Sequence, residues 1–141
     1  MISRKPLVPD RVRRIGGRSF AFLHHRFLQD GFFASLTHQE RSLYLFLVLA
    51  ADRSGVSFYA YDRICSVLDM TLDEYIDARN ALIDKDLLAF DGRRFQVLEL
   101  PAEPSRLPTR LLRSDADFEN HDPATVHRLA EDTFGDEGAR R

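Results

Sequence analysis

Thirty residues, TLDEYIDARNALIDKDLLAFDGRRFQVLEL (Thr71 to Leu100), constrain this chain more than any other stretch. Their apolar spacing changes from a helical period to a β-rich pattern, so a helix must feed directly into a pair of strands. Thr71 and Glu74 have the spacing of a capping box, in which hydroxyl and carboxylate satisfy the orphan N–H groups of a helix start. Met70 and Tyr75 are placed for a hydrophobic staple across the same terminus. Leu72, Tyr75, Ile76, Leu82 and Ile83 form an inward stripe, with Asp73, Glu74, Asp77, Asn80, Asp84 and Lys85 facing outward. Beyond Leu88, Asp91–Gly92 supplies the positive backbone angles of a tight hairpin turn.

Upstream, LTHQERSLYLFLVLAADRSG predicts a helix with a second capping box, Thr37 with Glu40. Its residues Leu43 to Ala50 are apolar almost all round, as in a central buried helix that leaves at Gly55. VSFYA predicts a short strand or extended link, with Phe58 and one tyrosine sealed against the core and at most one aromatic exposed. YDRICSVLD predicts a brief helix carrying Ile64, Val67 and Leu68 on one face, and Asp69–Met70 a tight connection onward. Nearer the N-terminus, SFAFLHHRFLQDG predicts a short helix through Phe20, Leu23, Phe27 and Leu28 that stops at Gly31, although FAF also suits a strand.

These elements fall within residues 19–100. Residues 1–18, with two prolines and Gly16–Gly17, form an extended or mobile arm. Residues 101–141 begin with the proline-rich linker PAEPSRLPTR and continue into an acidic tail. In that tail HDPATVHRLAEDTFG can form one short helix, with Asp122 as N-cap and Pro123 at its first position. The fold class is mainly α with a small β-hairpin, an α+β arrangement. A hydrophobic share of 44% supports a packed core in a chain of 141 residues.

Net charge is only −2, which selects no partner, but its distribution is informative. Residues 1–30 hold seven Lys/Arg against Asp10 and Asp30, a balance of +5. Residues 71–100 and 101–141 each stand at −3. The chain therefore has a basic front and an acidic rear.

The order helix, short strand, helix, tight turn, helix, hairpin over roughly 37–100 resembles a winged helix-turn-helix domain. The resemblance is carried by LTHQERSLYLFLVLAADRSGVSFYAYDRICSVLDM and by ALIDKDLLAFDGRRFQVLEL, the join between third helix and wing. More narrowly, the chain resembles small winged-helix proteins that accompany bacterial mobile elements, and winged-helix modules of replication initiators. The resemblance implies duplex DNA as ligand, the third helix (Leu72 to Lys85) in the major groove and Arg93 and Arg94 of the wing on phosphate. On that helix Arg79 is suited to guanine and Asn80 to adenine, with Lys85 as a further cation. However, Asp73, Glu74, Asp77, Asp84 and Asp86 outnumber Arg79 and Lys85 there, and carboxylates approaching phosphates cost Coulomb energy over about 8–10 Å. The arm, RKPLVPDRVRRIGGR, resembles basic arms that follow a minor groove, which makes Arg11, Arg13, Arg14 and Arg18 the stronger electrostatic candidates. Arg106, Arg110 and Arg113 read as linker.

Other chemistries find little support. One cysteine, Cys65, excludes an internal disulfide and fits a reducing cytosol, and nothing near it in sequence would lower its pKa. Adjacent His24 and His25 point about 100° apart on a helix and lack companion ligands, so no metal or other cofactor is expected. P-loop, G-x-S-x-G and H-E-x-x-H motifs are absent. The longest apolar run, Leu43 to Ala51, is far short of the ~20 residues of a membrane span, and no secretory signal is apparent. The expectation is a non-enzymatic, cytoplasmic DNA-binding protein of a bacterial mobile element or replication system. It grips DNA through arm and wing, with limited reading by Arg79 and Asn80. A second expectation is a protein-interaction module. Its acidic third helix (Asp73, Asp77, Asp84) docks a basic partner such as a transposase or replication protein, or pairs with another copy. Phe20 to Leu28 offers a further pairing surface.

Overall fold

The computed structural model describes residues 4–104 together with Pro123, Ala124 and His127. Among residues 4–104 the helices are α1 (Arg26–Gln29), α2 (His38–Ala50), α3 (Tyr61–Leu68) and α4 (Leu72–Asp84), accompanied by short strands. The strands are β1 (Val56–Ser57), β2 (Leu88–Phe90) and β3 (Phe95–Val97), and a single 3-10 turn at Pro9–Arg11 interrupts the exposed N-terminal arm. The described residues are thus α+β. The sheet is antiparallel in the order β1-β3-β2, with Val56 opposite Gln96 and Phe90 opposite Phe95. The expected hairpin gains a third strand because VS of the link pairs with the hairpin's outer edge.

Packing starts from α2 and α4. Leu43 and Leu47 of α2 meet Ile76, Leu82 and Ile83 of α4 in one buried cluster with Ile64, Leu87, Leu88 and Phe95. Fully burying each such aliphatic or aromatic side chain is worth about 1.5–3 kcal/mol. The inward stripe of α4 is as its spacing predicts, but Ala78 and Arg79 are buried as well. On α2 the apolar residues do not all turn inward: Leu45 and Leu49 are 47% and 67% exposed. Val67 of α3 is likewise exposed rather than packed beside Ile64.

Local chemistry sets the helix ends. At α4 the Thr71 hydroxyl accepts from the Glu74 N–H at 3.1 Å and the Glu74 carboxylate accepts from the Thr71 N–H at 2.9 Å, a complete capping box. At α2 only half of the box forms. Thr37 accepts from the Glu40 N–H, but the Glu40 carboxylate turns to the Thr37 hydroxyl and the Lys85 ammonium. The ammonium draws it inward, away from the backbone it would otherwise cap. The C-terminus of α4 closes as a Schellman motif: Leu87 N–H returns to the Leu82 carbonyl and Asp86 N–H to that of Ile83. Asp86 there has φ +63, a left-handed conformation more usual for glycine. Asp69, at the turn between α3 and α4, does the same at φ +54.

The predicted helix from Phe20 shrinks to the four residues of α1, and residues 19–25 are exposed. Only Phe27 of its apolar set reaches the core, stacking 4.8 Å from Tyr44, and a short helix without a buried face does not propagate. Arg26 anchors α1 from the other side, donating to the carbonyls of Leu100, Pro101 and Ala102 and to the Asp30 carboxylate. Of the expected C-terminal helix, Pro123, Ala124 and His127 are helical and Ala124 is fully buried. Asp122, Arg106, Arg110 and Arg113 lie outside the described residues.

Candidate nucleic-acid interface

The hairpin tip is built around one carboxylate. Asp91 N–H donates to the Arg94 carbonyl, which leaves Gly92 and Arg93 at the apex. Gly92, at φ +99, is the only one of the tip residues with a positive backbone angle, so the expected positive angle at Asp91 is not adopted. Instead the Asp91 side chain does the capping, accepting from the Arg93 and Arg94 N–H groups at 2.9 and 2.7 Å. Its second oxygen takes the Arg94 guanidinium at 3.0 Å. The Arg94 and Arg93 backbone donors, with the Arg94 side chain, hold the Asp91 carboxyl down at about 2. The two tip arginines are both exposed but not equivalent. Arg94 is neutralised by Asp91, whereas the Arg93 guanidinium has no ion-pair partner among the described residues.

The arm presents a larger cationic surface. Every residue from 4 to 25 is exposed, including Arg4, Lys5, Arg11, Arg13, Arg14 and Arg18. Asp10 is the only acid among residues 4–18. Apolar Val8, Val12 and Ile15, 48–65% exposed, are interleaved with these cations.

α4 differs from the sequence expectation where it matters most. Arg79 is 0% exposed, its guanidinium 5.0 Å from the Phe90 ring centroid and 5.4 Å from that of Tyr75. Arg79 therefore cannot reach a base edge, and its assignment as a guanine reader is corrected to a core residue that spans α4 and β2. The physical reason lies in helical spacing: position 79 continues the row of Tyr75, Ile76, Leu82 and Ile83, and a long aliphatic stem packs there as a hydrophobe would. Asn80 is half-buried and its carbonyl oxygen accepts from Arg79 at 3.2 and 3.3 Å, leaving only its amide group for any outside partner. Lys85, the other cation considered on this helix, is tied to Glu40 and to the Ser35 carbonyl. On the outer face Asp73 and Asp77 are exposed and Asp84 is half-buried. With its cations turned inward, the solvent side of α4 is acidic.

Two further groups, Cys65 and His24, have local contacts of their own. Cys65 lies 3.9 Å from the Thr71 carbonyl, and burial together with the Asp62 charge pushes its thiol up, away from the reactive thiolate. His24 packs edge-on to Phe22, and among the described residues no group of three His, Cys, Asp or Glu side chains could hold a metal ion. The aromatic link departs from expectation: Phe58 and Tyr59 are both exposed, at 64% and 37%, with Tyr59 edge-on to Phe46. Tyr61 is half-buried, its hydroxyl 3.0 Å from Nδ1 of His127.

Periodicity carried the signal for Arg79, because an inward row with a charged member is still an inward row. No sequence signal links Lys85 to Glu40, which stand 45 residues apart. No described helix is long and apolar enough to cross a membrane. No protein-family profile, curated protein or solved structure matches the chain.

Proposed function

We propose that this chain is a non-enzymatic winged helix-turn-helix protein that binds duplex DNA, in the setting of a bacterial mobile element or replication system. The observation that supports it is topological. α2, β1, α3, α4 and the β2–β3 hairpin follow one another in the order of that superfamily, with β3 lying between β1 and β2. In this reading α3 and α4 are the helix-turn-helix and the 91–94 tip is the wing. Contact falls to the exposed arm cations Arg11, Arg13, Arg14 and Arg18 and to Arg93, with Arg94 secondary because Asp91 neutralises it. Such contacts grip phosphate and orient the domain without reading sequence. A gel-shift series across salt, comparing the full chain with a form lacking residues 1–18, tests this. Weaker binding and a shallower salt dependence for the shortened form support it. Equal or absent binding by both forms overturns it.

The exposed Asp73 and Asp77 favour a second reading, in which the acidic face of α4 docks a basic protein such as a transposase or replication protein. Reversing Asp77 and Asp84 to Lys separates the two. Tighter DNA binding places α4 beside DNA, whereas loss of a co-purifying partner with unchanged DNA affinity favours docking.

A further inference from the structure

The N-terminal arm and the segment behind it carry a chemistry that phosphate contacts leave unused. Half of the fourteen large apolar side chains exposed among the described residues fall between Leu7 and Leu23. From Arg4 to His25 the same stretch holds six Lys/Arg and one acid, Asp10. Every residue from 4 to 25 is exposed, so the folded domain does not cover these side chains.

Two apolar groups alternate with the cations. The first is Val8, Val12 and Ile15, whose i, i+4, i+7 spacing is that of one helical face. The 3-10 turn at Pro9–Arg11 already starts a helical path there, with proline in its first turn and Arg11 N–H donating to the Val8 carbonyl at 3.1 Å. Extending that turn to Ile15 gathers the three on one side, with Arg11, Arg13 and Arg14 beside and behind them, until Gly16–Gly17 ends it. The second group follows at once: Phe20, Phe22 and Leu23, the two rings 62% and 68% exposed.

We infer that this segment binds the surface of an anionic lipid bilayer. Its cations meet the headgroups, and Val8, Val12, Ile15, Phe20 and Phe22 enter the boundary between headgroups and acyl chains. Each cation near such a surface is worth about fivefold in affinity, a gain that salt screens away. The apolar residues supply the rest, because stable anchoring takes an apolar signal together with a polybasic one. A partner of phosphate alone leaves the phenylalanines in water, a basic protein is repelled, and an apolar protein surface strips water from the cations. A bilayer surface takes up both chemistries. The segment lies on it without crossing it, which asks no long apolar helix of the chain. Competition between lipid and DNA for the same cations rests on the DNA reading; the lipid binding does not.

Flotation of the full chain with vesicles, in the absence of DNA, tests the inference. Vesicles of phosphatidylcholine alone are compared with vesicles holding about 30% phosphatidylglycerol, at about 0.1 M and about 1 M salt. The chain is expected to float with the anionic vesicles at low salt, to stay down with the neutral ones, and to lose most of its binding at high salt. Phe20→Ser/Phe22→Ser, outside every helix and strand, keeps the wild-type circular dichroism and binds anionic vesicles at least about tenfold more weakly. Val12→Ser/Ile15→Ser weakens binding in the same way should the first variant fail to fold. Val67→Ser, on an exposed apolar residue of α3, leaves binding unchanged. Duplex binding by Phe20→Ser/Phe22→Ser, read separately, equals wild type on the DNA reading, so either reading can fail without the other. A chain that stays down with every vesicle, whether as a monomer or as a dimer that hides its phenylalanines, overturns the inference. So does equal binding to neutral and anionic vesicles, or a phenylalanine variant that floats like wild type, the mark of a basic arm drawn to any polyanion.

Discussion

The Lys85 ammonium at the end of α4 meets the Glu40 carboxylate in the first turn of α2, and the two side chains are unequally buried, at 27% and 8% exposure. That asymmetry makes the two halves of the pair differ in cost. Lys85→Ala leaves a buried carboxylate facing only the Thr37 hydroxyl and should destabilise by about 2–3 kcal/mol. Glu40→Gln leaves an ammonium that can swing into water and should cost about 1 kcal/mol. Urea denaturation of both variants measures this, and the reverse order contradicts it.

Arg79 is expected to behave as a core residue. Arg79→Ala removes a fully buried stem and its contacts with Tyr75 and Phe90, at a cost of about 3 kcal/mol. Arg79→Met restores most of the volume and should recover at least half of that loss. The folded fraction of either variant should bind DNA as wild type does. A variant of normal stability but altered sequence preference contradicts this placement.

Asp91 should be visible in acid. Its folded value of about 2 lies below its ordinary value of 3.8, so its contribution is complete above 3.8 and is lost as pH falls towards 2. Asp91→Asn therefore flattens the stability profile of the hairpin in that window, read by fluorescence or circular dichroism against pH. At neutral pH the same carboxylate pairs with Arg94, and on the proposed DNA-binding reading it masks that cation. Arg93→Ala should weaken binding about threefold, the loss of one phosphate contact, and Arg94→Ala less than that. Equal losses for the two contradict the masking.

Two positions with positive φ should respond in opposite directions. At Gly55, φ +84, a Cβ would stand 2.6 Å from the Val97 carbonyl oxygen, on the backbone contact that joins β1 to β3. Gly55→Ala should cost at least about 2 kcal/mol from strain and clash together. Asp86→Gly relieves a left-handed aspartate at the end of α4 and should gain up to about 1 kcal/mol. Thermal melts of both variants decide the matter.

What could be read from the sequence was what neighbouring residues decide. The Thr71–Glu74 box, the stripe of α4 and the 88–97 hairpin all rest on spacings of a few residues, and all are present. What could not be read depends on distant partners. Glu40 leaves its own cap for Lys85, β1 finds β3, and the segment from Phe20 stays out of helix because only Phe27 meets the core. At the candidate interface, charge type was legible but charge availability was not. Arg79, Lys85 and Arg94 all hold contacts that take them from solvent or neutralise them, whereas the cations of the arm remain exposed.

The central claim, that the arm rather than α4 holds DNA, is tested most directly by the salt dependence of duplex binding. Fluorescence anisotropy should compare wild type with a variant in which Arg11, Arg13, Arg14 and Arg18 are all changed to Gln. Each lost phosphate contact lowers the log–log salt slope by about 0.9, so the account predicts a slope shallower by about 3–4 and weaker binding at low salt. A variant with the wild-type slope and affinity would contradict it.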